Sequence, residues 1–189
     1  MRYAILFLLL SCATGSYLLK DNDLHSELEK LKVTRINSAA QSIVIMSIAD
    51  KRDVINLGNA YTGVQYNKTP VVLTTNLKDF MSRFLVSSFS KRNLIINESS
   101  KLKMTVEVNQ LWVEEVIDKF KPERAKCRVD ISFHILGDNK KWSGNFWAEY
   151  LSEGDMRDGT ERITPTLANC LNEVIEKLVA DKKLLTILQ

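Results

Sequence analysis

Three segments near the middle of this 189-residue chain alternate between apolar and polar residues, and this period of two constrains the fold most. Every second side chain is apolar or small in Leu102–Asn109, Lys126–Ile135 and Trp142–Tyr150. Because successive side chains of a strand point to opposite faces, the pattern predicts an antiparallel sheet that is covered on one face only. The turn residues Gly137-Asp138-Asn139 predict a hairpin between the last two strands.

A helix is predicted over Asn76–Arg92, where apolar residues recur at helical spacing. Asn76 is a candidate N-cap, and Asn93 suits the left-handed position that closes a helix. The apolar stripe of this helix consists of Leu77, Phe80, Met81, Phe84, Leu85, Ser88 and Phe89.

The remaining elements complete the order of the fold. An apolar run predicts a first strand over Gln41–Asp50, residues 54–70 resemble a loop, and Leu94–Ile96 is a short strand. A final helix is predicted to run to the end of the chain, with Thr164 as its N-cap and Pro165 at its first helical position. The order β-α-β-β-β-β-α predicts an α+β fold, in which two helices pack on one face of a mostly antiparallel sheet.

The N-terminus has the layout of a bacterial lipoprotein signal. A basic residue, Arg2, precedes an apolar run that ends in Leu9, Leu10, Ser11 and Cys12. In this interpretation the thiol of Cys12 carries diacylglycerol, the chain is cut before Cys12, and a fatty acid such as palmitate acylates the new amino group. The alternatives are an ordinary secretory signal or the first strand of a cytosolic protein.

This signal divides the chain into three parts. Residues 1–11 are the expected signal peptide, residues 12–40 a lipidated leader, and residues 41–189 a single domain. Within the leader, Asp21–Arg35 has leucines at helical spacing, which indicates a short amphipathic helix or a partly ordered tether. Ala13 follows the cysteine, and the absence of aspartate there favours the outer membrane, facing the periplasm.

Composition argues against several classes of function. The 26 Lys and Arg residues nearly balance the 23 Asp and Glu residues, so the chain lacks the basic footprint of a nucleic-acid-binding protein. The two histidines, His25 and His134, are not in a ligand-like cluster, so we expect no metal and no other cofactor. No catalytic motif is recognisable, and we expect no enzymatic activity.

Two residue pairs are structural candidates. Asp50 and Arg52 are expected to pair locally and hold the turn after the first strand, with binding of a polar ligand as the alternative. Cys127 and Cys170 both follow the apolar pattern of their elements, so a disulfide is one outcome in an oxidising compartment and two buried thiols are the other.

Two tryptophans are the candidate partner surface. Trp147 falls in the polar register of its strand, and Trp112 follows a register change near Gln110. Aromatic residues on a polar face are enriched at protein contacts. The alternative is that a loop or the leader covers both rings.

The lipobox, the apolar strand ending in Asp50-x-Arg52, the glycine loop at Gly58 and the following helix and meander resemble the YajG-like bacterial lipoproteins. The resemblance extends over about residues 42–180, and the leader is an addition to it. It implies an envelope lipoprotein with a fold like the amino-terminal domain of TolB and the transport-auxiliary lipoproteins. It brings no catalytic site.

We therefore expect a membrane-anchored envelope lipoprotein that serves as a non-catalytic accessory or docking component of a periplasmic or outer-membrane assembly. Its partners are the membrane, through the lipid, and an envelope protein. The alternative is a module that binds a lipid or a cell-wall fragment between its sheet and helices. The bulky inward side chains favour the first function, because they leave little room for a ligand.

Overall fold

The computed structural model describes residues 15–36, 42–62, 67–116, 123–154 and 160–189. It has an α+β fold with a mostly antiparallel sheet, as the sequence predicts. The strands are β1 (Tyr17–Leu19), β2 (Ile43–Asp50), β3 (Gly58–Thr62), β4 (Asn67–Leu73), β5 (Leu102–Val116), β6 (Glu123–Leu136) and β7 (Lys141–Gly154). The helices are α1 (Asp21–Lys30), α2 (Leu77–Lys91), α3 (Thr160–Val179) and α4 (Lys182–Leu188).

The long strand β5 organises the sheet. One of its edges pairs with β6 along its whole length, and β6 pairs with β7, both in antiparallel register. The other edge pairs with β2 along its first half and with β3 near its end, both in parallel. Strands β4 and β1 extend the sheet beyond β3, so β1 and β7 end this strand order, while β2 pairs with β5 outside it.

The register change predicted near Gln110 is a β-bulge. The β5–β6 pairing shifts between Val108 and Gln110, which leaves Asn109 as the extra residue. The bulge keeps apolar residues on the inner face on both sides of it, since Val108 and Leu111 are both buried. Trp112 therefore lies on the outer face, next to Arg128 of β6.

All four helices contribute to a single core on the inner face of the sheet. Helix α3 packs across β5, β6 and β7, while α2 packs on β2. The helix caps of α2 follow the sequence prediction. Asn76 accepts a hydrogen bond from the backbone N–H of Asp79, and Asn93 has a φ of 61°. The predicted core phenylalanines Phe80, Phe84, Phe89 and Phe133 are fully buried, and Phe146 is half-buried.

The leader is part of the domain, which corrects the boundary predicted at residue 41. Strand β1 pairs in parallel with β4, and the side chains of Leu19, Leu24 and Leu28 are buried in the core. The narrow leucine stripe of α1 faces helix α3. Residues 17–36 therefore do not form a tether.

Residues 54–70 also differ from the predicted loop, because they contain β3 and the start of β4. Gly58 opens β3 with a φ of 127°, and a Cβ atom there would overlap the carbonyl of Val113. Pro70 is tolerated because it lies just before the stretch of β4 that pairs with β1, where β4 has one neighbour. Leu94–Ile96 forms only an isolated bridge, between Ile96 and Ile43.

The C-terminal helix begins earlier than predicted and is followed by a second one. Helix α3 starts by Thr160 rather than at Pro165, so this proline lies inside the helix, and Ile163 of the added turn is fully buried. Helix α3 ends at Val179, and Ala180 separates it from the N-cap of α4. Asp181 caps α4 by accepting a hydrogen bond from the N–H of Leu184. Burial of Ile163 offsets the backbone hydrogen bond that a proline in the interior of a helix removes.

A buried arginine joins α2 to α3. The side chain of Arg92 is 1% exposed, and its guanidinium donates to Glu176 (2.7 and 3.1 Å), Asn172 (2.6 Å) and the carbonyl of Ser88 (2.9 Å). Glu176 also accepts from the backbone N–H of Thr34 at 3.1 Å. Burial raises the pKa of Glu176, but these hydrogen bonds outweigh it, so the pKa lies below the ordinary value.

Candidate functional site: the outer face of the sheet

The outer face of β5, β6 and β7 carries a compact group of aromatic and charged side chains. Strand register places them in three adjacent rows of three residues each. We call this group the outer-face patch; it consists of Gln110, Asp130 and Trp147, then Trp112, Arg128 and Glu149, then Glu114, Lys126 and Leu151. From strand and row spacings, the Cα atoms of Trp112 and Trp147 are about 12 Å apart.

Each tryptophan of the patch is held by a lysine. Lys126 Nζ lies 5.2 Å from the ring centroid of Trp112. Lys177 of α3 reaches around the β7 edge, where its Nζ lies 5.2 Å from the ring centroid of Trp147 and donates to the Trp147 carbonyl at 2.8 Å. Such contacts contribute about 0.5–1 kcal/mol at exposed sites. Trp147 nevertheless remains 52% exposed.

Charged pairs surround the two rings. Arg128 binds Glu149 directly across the β6–β7 pair at 3.3 Å. Glu114 lies between two lysines, Lys68 at 3.2 Å and Lys126 at 3.7 Å. Aromatic rings enclosed by paired charges on a sheet face form a surface that can bury apolar area while its rim remains hydrated.

Trp112 separates two open clefts. One, of about 280 Å³, lies between Trp112 and the loop that follows β2. The other, of about 540 Å³, lies above β6 and β7 and is bounded by Lys126, Glu149 and Leu151. Because the ring forms a wall of both clefts, Trp112 is the centre of this surface, whereas Trp147 lies at its β7 side.

The loop after β2 adds apolar residues that the sequence reasoning missed. Val54 borders the first cleft, and its neighbour Ile55 is 87% exposed. Two consecutive apolar residues between Asp53 and Asn56, inside a polar loop, were the available signal. Their proximity to Trp112 depends on the three-dimensional fold.

Asp50 and Arg52 form a structural turn at the border of this surface. Arg52 Nε and Nη2 donate to Oδ1 and Oδ2 of Asp50, both at 2.8 Å, and the Arg52 backbone N–H donates to Oδ1 at 3.2 Å. Hydrogen bonding from Arg52 holds the pKa of Asp50 below its ordinary value, against the opposing effect of burial. This bidentate pairing is the geometry that carboxylate and guanidinium groups favour.

The remaining predicted site residues are separate from the patch. Cys127 and Cys170 form a disulfide between β6 and α3, with their Cα atoms 6.4 Å apart. The lipobox residues Leu9, Leu10, Ser11 and Cys12 lie outside the described residues.

Within the described ranges there is no group of three or more His, Cys, Asp or Glu side chains that is arranged to hold a metal ion. None of the helices described here has the length and apolar character needed to cross a membrane. The outer face carries two aromatic rings, each with a lysine beside it, two clefts and an apolar loop.

One of the solved structures that resemble this chain supports the fold, and two others are more distant. A protein from Xanthomonas campestris, XCC0632, superposes with a TM-score of 0.58 at 10% identity, covering 90% of this chain and 96% of that one. Lipoprotein GNA1162 from Neisseria meningitidis gives a TM-score of 0.38 at 8% identity, over 75% of this chain and 99% of that one. A minor lipoprotein from Acinetobacter baumannii gives 0.35 at 10% identity, over 79% and 91%.

At the level of sequence, no curated protein matches this chain. Residues 30–189 do match the model of a protein family that is described as "Uncharacterized lipoprotein". Because that match spans far more than half of the chain, the protein belongs to this family of uncharacterized lipoproteins.

Proposed function

We propose that this protein is an envelope lipoprotein, anchored through acylated Cys12 after removal of residues 1–11, that serves as a non-catalytic docking component of an envelope assembly. Membership of a lipoprotein family supports the anchor, and the lipobox supplies its chemistry. Several buried acyl chains hold a protein on a bilayer durably, since each buried methylene contributes about 0.8 kcal/mol. The outer membrane and the YajG-like subgroup are the finer parts of the same proposal.

The observation that carries the docking function is the outer-face patch. The helices cover the inner face of the sheet, while Trp147, Leu151 and Ile55 expose apolar surface on or beside the outer face. The lysine contacts of Trp112 and Trp147 order the rings before a partner arrives, which reduces the entropy that binding costs. The expected partner is therefore a protein that presents apolar side chains to both clefts, with charged residues around them.

The inner face offers a lipid or cell-wall fragment less room. Between sheet and helices, the large side chains of Phe80, Phe84, Phe89 and Phe133 are fully buried in one continuous core. Filled interiors of this kind are close-packed. A ligand between the two layers would therefore have to displace core side chains.

A small polar ligand in the cleft beside Arg52 is a second candidate function. In the described part of the chain, Arg52 Nη1 is buried without a hydrogen-bond partner, and Arg52 lines the 280 Å³ cleft. A carbonyl or carboxylate oxygen would satisfy this donor. Arg52→Gln would then abolish ligand binding, whereas Trp147→Ala, which lies outside this cleft, would leave it unchanged.

The docking function is tested with Trp112→Ala and Trp147→Ala, alone and together, in cells treated with a crosslinker. Truncation of an aromatic anchor costs about 2 kcal/mol or more at an interface, which weakens affinity by about 30-fold or more. Less of the crosslinked partner should therefore be recovered. Thermal stability of Trp147→Ala should remain nearly unchanged, because the side chain is half exposed.

The matched control is Leu136→Ala, which removes an equally exposed apolar side chain at the opposite end of the sheet. It should leave partner recovery unchanged. If the tryptophan variants recover the same crosslinked proteins as the wild type, the outer-face patch is not the docking surface. If Trp147→Ala unfolds the domain, the assigned strand register is wrong.

The anchor is tested separately with Cys12→Ser. This variant should lose lipidation and move from the detergent phase to the aqueous phase, while its circular dichroism spectrum and melting temperature match those of the acylated protein. Unchanged partitioning of the serine variant would exclude lipidation at Cys12.

A further inference from the structure

Strand β1 has no freedom to move relative to the domain. Leu19 is fully buried, and its carbonyl accepts a hydrogen bond from the N–H of Thr74 at 3.1 Å. Helix α1 follows after one residue, and the carboxylate of Asp21 at its start accepts two hydrogen bonds. The donors are Thr75, between β4 and α2, and Arg83 of α2. The position at which the chain enters the domain is therefore set at Tyr17.

The segment between the proposed lipid anchor and this entry point is short. Only five residue steps separate Cys12 from Tyr17. A fully extended chain covers at most about 3.6 Å per residue, so the two Cα atoms are at most about 18 Å apart.

The sheet extends beyond Tyr17 on the same side from which the chain arrives. Strand β1 runs parallel to β4, and Tyr17 is level with Val71 and, through Gly58, with Val113. From Val71, β4 extends back by four residues to Asn67, which is about 13 Å at 3.3 Å per residue. Even a fully extended connection therefore leaves only about 5 Å between this end of the sheet and the level of Cys12.

We infer that this end of the sheet, formed by Asn67–Thr69, Glu114–Val116 and Arg124–Lys126, rests on the lipid headgroups of the membrane that holds the anchor. The inference rests on the proposed acylation of Cys12 and deepens it, because it assigns the domain an orientation. The occupant of this surface is the bilayer itself, since no folded partner fits into a gap of about 5 Å.

The exposed side chains of this end are compatible with a headgroup layer. Lys68 and Lys126 lie on either side of Glu114, so this group of three side chains has one net positive charge, which an anionic membrane surface attracts. Phosphate groups would accept hydrogen bonds from the two lysines.

This orientation also restricts the partner. One row of paired residues crosses the sheet from Tyr150 of β7 to Tyr17 of β1, so these two residues are level. Trp147 lies three residues beyond Tyr150 along β7, on the side away from the membrane. The patch is therefore within about 30 Å of the headgroups, whereas the Gly137-Asp138-Asn139 hairpin is roughly 40 Å farther from the membrane than Lys68 along the strands. A partner that docks on the patch must itself lie close to the membrane surface.

The orientation is tested on the acylated, full-length protein reconstituted in vesicles of phosphatidylethanolamine and phosphatidylglycerol. Lys68→Cys and Asp138→Cys are labelled with the same fluorophore without reduction, which leaves the disulfide intact. Both positions are more than half exposed, and among the described residues each forms one surface ion pair. A nitroxide on the lipid headgroup should quench the label at 68 and leave the label at 138 unquenched.

Two further variants separate the inference from the anchor. Insertion of about 20 Gly and Ser residues after Gly15 lengthens the connection by about 25 Å and should abolish the quenching at 68 while the protein still floats with the vesicles. Equal quenching at both positions, or stronger quenching at 138, would overturn the orientation while the anchor stands. If wild type and Cys12→Ser both fail to float with the vesicles, the anchor fails, and the orientation fails with it.

Discussion

Replacement of Arg92 by alanine should be one of the most damaging single substitutions in this domain. The side chain is 1% exposed, and three of its four hydrogen bonds join the end of α2 to Asn172 and Glu176 of α3. Removing one partner of a buried ion pair costs about 3–5 kcal/mol, and here the carbonyl of Ser88 and the amide of Asn172 lose their donor while Glu176, 26% exposed, loses its counter-charge. In a domain of this size each kcal/mol lowers the melting temperature by about 2–4 °C, so Tm should fall by about 6–20 °C.

Urea unfolding followed by circular dichroism measures this loss directly, with Arg128→Ala as the control. Arg128 also pairs with a glutamate, Glu149, but both side chains are exposed, and such a pair contributes only about 0–1 kcal/mol. The double variant Arg92→Met with Glu176→Leu should recover most of the stability, because it removes both charges from the interface. A cost for Arg92→Ala no larger than that for Arg128→Ala would refute the reasoning.

Three other substitutions or measurements follow from the core and its crosslink. Denatured, unreduced protein should contain no free thiol from Cys127 and Cys170, and reduction should cost up to about 4 kcal/mol for a sequence separation of 43 residues; two titratable thiols would contradict the bridge. Phe84→Ala should cost about 3–5 kcal/mol in chemical denaturation, against less than about 1 kcal/mol for the exposed neighbour Val86→Ala. The pKa of Glu176 is lower in the folded protein than the ordinary 4.5, so its contribution to stability is present above pH 4.5 and is lost as the pH falls through the folded pKa. Glu176→Gln should therefore flatten the acid side of a plot of unfolding free energy against pH. An unchanged acid side would contradict this.

Sequence reasoning succeeded where the pattern is local. The alternation over Leu102–Asn109, Lys126–Ile135 and Trp142–Tyr150 predicted β5, β6 and β7, because the period of two reflects a single covered face and needs no knowledge of neighbours. The stripe and caps of α2 predicted that helix to within one residue at each end. These signals are contained in the segments themselves.

It failed where distant residues stabilise an element. Gly58–Thr62 and Asn67–Leu73 have glycine, asparagine and proline, which resemble a loop, and they become strands through pairing with each other and with β5 and β1. Pro165 predicts a helix start, but burial of Ile163 extends α3 before it. In both cases tertiary contacts override local preference.

The candidate site was predictable only in part. Trp147 falls among the polar residues in the alternating pattern of its own strand, and this local pattern predicted a ring that points outward. The role of Trp112 as the wall between two clefts, and the neighbouring Val54 and Ile55, depend on how the loop after β2 lies beside β5. Arg92 gave no signal, because its partners on α3 are 80 and 84 residues away in the sequence.

The contact between Lys177 and the carbonyl of Trp147 has a consequence for the free edge of β7. An edge strand offers unpaired backbone groups to any other strand, and a lysine placed on that edge is one of the ways in which proteins prevent this. Here the ammonium group of α3 occupies one of the acceptors that a β-strand of a second molecule would need. Under the proposed anchoring, copies of the protein would share a plane and meet more often than in solution, and this contact would hinder pairing of two β7 edges at Trp147.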